Sequence, residues 1–241
     1  HDGVAPTVLN LSVPGETSAS FSSGSGRVGP DNQAPTPAED AVLVALNLHY
    51  TAPAGTYPTQ QDMLSQALAN FGPSIGHVTI SLGSDNLYKL VLTDPNPAAD
   101  LPATLGAFAA SYAAILTEIL AASPGAQITL VGSYDPFPAG TPGPVAALAG
   151  PAIAALNQTI GMLANSFHVG FADPSGAFVG NELAYTYIWD NGNAHPTPTG
   201  YGVIAGTIEA VPEPSSLALA AVGIAGWAFA RRSRRRTAAA A

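Results

Sequence analysis

Four short apolar runs, separated by helix-like stretches, constrain this chain most. They are Thr7–Val13, His77–Leu82, Gln127–Val131 and His168–Ala172. Each is nearly continuous in hydrophobicity, the pattern of strands buried on both faces. Between them, Gln60–Phe71 carries Met63, Leu64, Leu68 and Phe71 at helical spacing, and Leu101–Ala122 is rich in Ala and Leu. Pro144–Asn165 is similar, with Pro151 placed to kink or split it. A last helix starts after His195, with Thr197 as N-cap, Pro198 as first helical residue, and Ile204 and Ile208 on one face. Alternating strands and helices predict an α/β domain: four parallel strands with helices on both sides. Residues 17–37 and 136–144 read as Gly/Pro/Ser loops.

A chain of 241 residues holds one packed domain and a tail. Hydrophobic residues make up 47% and charged residues 10%, which excludes a disordered acidic polymer. No cysteine occurs, so disulfides, thiolate nucleophiles and thiolate zinc sites are excluded. Residues 1–212 contain two basic side chains, Arg27 and Lys89, against fifteen acidic ones. Nucleic acid is therefore not an expected partner, because phosphate binding needs clustered cations. The five histidines are scattered, with no HExxH pattern, and no glycine-rich phosphate loop ends in a lysine. Neither a metal nor a cofactor is expected.

The first fifteen residues, HDGVAPTVLNLSVPG, carry no basic segment and no long apolar stretch, so they do not read as a signal peptide. At the other end, Val211-Pro212-Glu213-Pro214 precedes an uncharged run, Leu217–Ala230, and then five Arg in six positions. Fourteen helical residues reach about 21 Å, short of a roughly 30 Å hydrocarbon core. A core helix with a solvated basic end is one reading. The arginine block favours another, a span closed by a positive-inside stop and lengthened by Ser215, Ser216 and a snorkelling Arg231. These three elements, in this order, resemble a PEP-CTERM sorting tail over residues 211–236, leaving 237–241 as a short tail. The resemblance implies a Gram-negative source, export, inner-membrane anchoring and processing by an exosortase-type protease. Cell surface, periplasm or extracellular matrix would be the destination. Residues 215–230 are expected to be helical and separate from the body's core.

In a parallel sheet, chemistry collects at the C-terminal strand ends. Asp190-Asn191-Gly192-Asn193-Ala194-His195-Pro196 places a histidine on a loop fixed by a proline and a helix start. An acid lies five residues upstream, so His195 is a candidate general base, although a surface histidine in a capping loop has the same pattern. Gly83-Ser84-Asp85-Asn86 ends one strand and opens a helix. Ser84 or Asp85 can simply cap that helix, or a neighbouring amide can donate to an oxyanion. Gly15 is either a turn glycine or a backbone donor to the same anion. Ser133-Tyr134-Asp135 closes another strand.

Together these segments resemble the SGNH (GDSL-like) hydrolases, esterases and lipases of flavodoxin-like fold, over roughly residues 7–210. LNLSVPGETSASF resembles the family's second block, which implies Gly15 as an oxyanion donor. HVTISLGSDNLYKL resembles the third, and HPTPTGYGVIA the fifth, which implies His195 as catalytic base. AQITLVGSYDPFP is similar to the strand that follows the third block in many members.

Three departures bear on activity. No segment matches the first block, a strand ending in Gly-Asp-Ser, so no serine here inherits the nucleophile's role. That block, like a signal peptide, is expected upstream of His1. The third block reads Gly-Ser-Asp-Asn instead of Gly-x-Asn-Asp, which puts Asp85 at the donor position and leaves Asn86 to serve only if the loop slips. Gly192 stands where the family carries its acid, so Asp190, or Asn193 as an orienting amide, must substitute. The resemblance implies a three-layer α/β/α domain over residues 1–210 whose first strand is missing. The expected gap lies between Thr7–Val13 and His77–Leu82, unless those two runs pair directly. It also implies an exported serine esterase acting on an ester substrate. A non-catalytic surface or matrix protein on the same fold is the alternative.

Overall fold

The computed structural model describes residues 8–12, 16–23, 59–188 and 193–212. Its centre is a three-stranded parallel sheet: β1 (His77–Ser81), β2 (Gln127–Val131) and β3 (Gly170–Ala172), in that order across the sheet. β1 and β2 pair from His77↔Gln127 to Ser81↔Val131, and β2 and β3 from Thr129↔Gly170 to Val131↔Ala172. Parallel neighbours need long crossovers, and helices supply them. α3 (Ser84–Thr93) and α4 (Pro97–Ala122) carry the chain from β1 to β2, and α5 (Pro144–Phe167) from β2 to β3. Ahead of the sheet come α1 (Ser18–Ser23) and α2 (Gln60–Phe71). After it come α6 (Ser175–Phe178), α7 (Glu182–Tyr185), the antiparallel pair β4 (Thr186–Tyr187) and β5 (Asn193–Pro196), and α8 (Pro198–Glu209).

β2 is buried on both faces, as its unbroken QITLV predicts. Ile128 and Leu130 enter a core built with Phe108, Tyr112 and Leu116 of α4 and Leu156 and Ile160 of α5. Each such side chain contributes about 1.5–3 kcal/mol by leaving water. Thr129 and Val131 point to the opposite face. There α8 packs against β3, and Val211 lies over Gly170 and Thr129.

Several expectations are corrected. Residues 8–12 join no ladder; Asn10 Oδ1 accepts from Ser12 N at 3.0 Å, and Leu11 O accepts from Gln60 Nε2 at 2.7 Å. Side chains thus take the backbone bonds a strand would need. β1 is an edge among the described residues, with His77, Thr79 and Ser81 exposed and Val78 and Ile80 half-buried. His168 does not open β3: it ends α5 in the left-handed conformation at φ 55°. Pro151 does not split α5, which runs unbroken with the proline on its exposed side. Ser18–Ser23, read as loop, is helical and buries Phe21. The tail beyond Pro212, with its expected helix at 215–230, lies outside the described residues.

Candidate active site

The C-terminal ends of β1 and β2 are held together by glycines and one asparagine. Gly83 follows β1 at φ +117°, and a Cβ there would stand 2.8 Å from Leu156 Cδ1. It is the residue before α3, and no side chain caps that helix, so the capping roles considered for Ser84 and Asp85 are not realised. Gly132 follows β2, and a Cβ there would stand 2.9 Å from Asn157 Oδ1. That asparagine accepts from Ser133 N at 2.7 Å and donates to Ser133 O at 2.8 Å and to Asp173 Oδ1 at 3.0 Å. It therefore ties the ends of β2 and β3. Its place within Ala-rich α5 gave no local sign of this. Ser133 Oγ in turn lies 2.9 Å from Ser84 Oγ, joining the ends of β2 and β1.

Two of the sequence-predicted elements meet. Asn86 accepts from Ser18 N through Oδ1 and donates to Ser18 Oγ through Nδ2, both at 2.9 Å. This pins the segment just after Gly15 onto the first turn of α3. One of the amide's two donor hydrogens is committed there. Asp85 is half-buried, and its carboxyl is pushed up to about 6, first by desolvation and then by the nearby Glu16. Glu16 is itself buried and accepts from Ser20 Oγ. No sequence pattern singled out Glu16, because the acid it faces, Asp85, lies on a helix almost seventy residues away.

His195 is exposed in β5, whose ladder to β4 pairs Thr186 with Pro196 and Tyr187 with Asn193. The Asn191-Gly192 pair between the two strands is a hairpin signal that the reading by motif passed over. Three bonds fix this corner. Tyr134 Oη donates to Ala194 O at 2.8 Å, Thr197 N donates to Tyr185 O at 2.8 Å, and Thr197 Oγ1 donates to Ala184 O at 2.9 Å. Thr197 also caps α8 by accepting from Gly200 N at 3.2 Å, as predicted. Tyr134 stacks on Phe178 with ring centroids 4.1 Å apart. Burial, with a smaller contribution from Tyr201, raises its phenol, so it stays a donor. Asp135 beside it is also raised, mainly by burial and slightly by Glu182, while the Phe137 N–H opposes the shift. Gly15 and Asp190 lie outside the described residues, and only the backbone of Asn193 is described.

A cavity of about 420 Å³ opens at this end of the sheet. Ser84 from the end of β1, Ser133 and Tyr134 from the end of β2, and Ala194 beside His195 all reach it. Among the described residues no cluster of His, Asp and Glu is arranged to hold a metal ion.

Residues 3–203 match the GDSL-like lipase/acylhydrolase family, and residues 210–236 match the PEP-CTERM protein-sorting motif. That motif marks the chain for export and surface sorting and implies exosortase-type processing. No curated protein sequence matches the chain. Among solved structures, an extracellular lipase from Streptomyces rimosus is 18% identical, with a TM-score of 0.47 over 60% of this chain and 76% of its own. Phospholipase A1 from Streptomyces albidoflavus NA297 is 17% identical, with a TM-score of 0.46 over 60% and 75%. A candidate GDSL-like lipase from Parabacteroides merdae is 18% identical at a TM-score of 0.43, and the match spans 60% of this chain but only 64% of that one. The parallel sheet with its crossover helices agrees with a sequence match over most of the length: this chain belongs to the GDSL-like lipase/acylhydrolase family.

Proposed function

We propose that the protein is an exported serine esterase in which His195 is the general base. The observation that carries this reading is the family match over residues 3–203, supported by a cavity at the strand ends lined by Ser84, Ser133, Tyr134 and Ala194. In the proposed reaction a serine hydroxyl attacks the ester carbonyl while His195 takes its proton. The same proton goes to the departing alcohol. Water then attacks the acyl-enzyme, with His195 again as base, and the carboxylic acid leaves. Asp190 or Asn193 orients the imidazole, and the Gly15 N–H, with Asp85 or Asn86, faces the oxyanion. Since Asn86 is engaged with Ser18, we assign it to holding the Gly15 segment in place. No Gly-Asp-Ser triplet occurs in residues 1–241, so the nucleophile belongs to sequence outside them. The Leu217–Ala230 run anchors the protein in the inner membrane until processing.

The test is hydrolysis of p-nitrophenyl butyrate by the protein expressed with any coding sequence that precedes His1. His195→Ala should lower turnover by about 10⁶, and Asp190→Ala by about 10⁴ if it is the orienting acid. Residues 1–241 alone should be inactive. The second reading, a non-catalytic surface protein, is favoured by one observation: an acidic side chain, Asp85, where the family pattern has an amide donor. Inertness of the longer protein to all esters would establish that reading instead.

A further inference from the structure

We infer that the site opens away from the membrane that holds the protein, so that its substrate is a water-soluble ester and not the lipid of the anchoring bilayer. This deepens the reading proposed above and rests on it for the esterase and for the anchor at 217–230. The direction of α8 carries the inference. Its first turn adjoins the site: Thr197 caps it just after His195, and Ala194 is held by Tyr134 at the C-terminal end of β2. Its far end lies toward the other end of the sheet. Val211 packs over Gly170, the first residue of β3, and the chain passes on toward the tail at Pro212. α8 thus runs opposite to the strands. Its 12 residues set the exit about 18 Å from the site corner.

The tether is short. Residues 213–216 separate Pro212 from the apolar run that starts at Leu217, a reach of at most about 18 Å when fully extended. To bring the site to lipid the body would have to turn over, with the tether stretched along the whole of α8 and no length to spare. Charge opposes the same turn. The segments that enter the three strands, 72–76, 123–126 and 168–169, contain no Asp or Glu, whereas those that leave them carry Asp85, Asp135 and Asp173. Glu16 stands near Asp85 and Glu182 near Asp135, which adds to the acidity of the site end. Only Glu209 and Glu213 flank the exit in sequence. An anionic lipid surface therefore repels the site end more strongly, within the roughly 10 Å over which charge acts at moderate salt. A membrane lipid would have to carry its acyl chains through water to reach a site so placed, whereas a soluble ester arrives by diffusion.

Residues 1–241 contain no cysteine, so a single introduced one takes a unique label. Gly125, just before β2, and Gly176, just after β3, are both exposed, and a Cβ at either meets nothing within 4 Å. Gly125→Cys and Gly176→Cys therefore report the two ends. The protein, with any coding sequence that precedes His1, is labelled with a fluorophore and reconstituted in phosphatidylethanolamine/phosphatidylglycerol vesicles whose headgroups carry a nitroxide quencher. Quenching should be several-fold stronger at Gly125→Cys than at Gly176→Cys. Inserting about twenty Gly/Ser residues after Pro214 should shrink that difference. The anchored protein should hydrolyse p-nitrophenyl butyrate as fast as the form lacking 217–236, and leave the vesicle phospholipid intact. Equal quenching at the two positions, stronger quenching at Gly176→Cys, or hydrolysis of the vesicle phospholipid would overturn the inference. A protein that does not float with the vesicles would remove the anchor and the inference together. The expected quenching in a protein inert to every ester would keep the orientation and sink the esterase reading. Ester hydrolysis with the quenching order reversed would do the opposite.

Discussion

Asp85 illustrates how one substitution in a motif changes a residue's physical chemistry. The resemblance puts a donor at this position, and the chain supplies an acid crowded by Glu16 and held away from water. Its carboxyl titrates near 6, against 3.8 for the free group. Between about pH 4 and 6 the folded chain keeps a proton that the unfolded chain has released. The stabilising contribution is therefore complete below pH 4 and is lost as pH rises through 6. Asp85→Asn should stabilise the protein by on the order of 1–3 kcal/mol at pH 8 and change little at pH 4. Urea unfolding at the two pH values measures this, and an equal effect at both would remove burial as the cause. In the catalytic form the same substitution should raise esterase activity at pH 8 by up to about 10²–10³, the weight of one oxyanion donor. The neighbouring Asn86 should tolerate Asp, which keeps the acceptor for Ser18 N and can accept from Ser18 Oγ.

The β5–α8 corner acts as a unit because its bonds leave in different directions. Thr197 serves two elements, capping α8 and holding Ala184 of α7. Thr197→Ala should cost about 1–2 kcal/mol by denaturant unfolding, more than an exposed threonine lost from a helix surface. Tyr134→Phe keeps the stack on Phe178 and removes only the bond to Ala194 O. It should cost about 1 kcal/mol of stability. If the corner positions His195, the longer protein should also lose kcat in that variant with little change in KM. A loss confined to stability would make Tyr134 a structural strut alone. Gly200 belongs to the same corner, since a Cβ there would stand 2.2 Å from Tyr185 O.

Across the whole molecule, charge and apolarity are divided between body and tail. α4 and α5 are both long and apolar enough to cross a membrane, and Phe108, Tyr112, Leu156 and Ile160 from them pack into the core. In the proposed reading, Leu217–Ala230 with the arginines after it is the segment that meets the membrane. Deleting Leu217–Arg236 should move the protein from the inner-membrane fraction to the soluble one. Unchanged fractionation would show that the anchor lies elsewhere.

What the sequence determined by itself was local. β2 was legible as a run of buried residues, α2 from its spacing, the start of α8 from Thr197-Pro198, and the tail from its order of elements. Each of these is encoded by neighbours within a turn or a strand. Tertiary contact decided the rest. Pro151 is tolerated because α5 turns it to solvent, and His168 becomes a helix end because β3 starts only at Gly170. Leu11 gives its carbonyl to Gln60 instead of a ladder. The site followed the same division. His195 and the Gly83–Asn86 turn were visible as residue patterns. The engagement of Asn86 with Ser18, the burial of Asp85 beside Glu16 and the cavity between Ser84 and Ala194 were not. Those features join segments 68 or more residues apart, and no local periodicity records which distant side chain will fill the space beside a strand end.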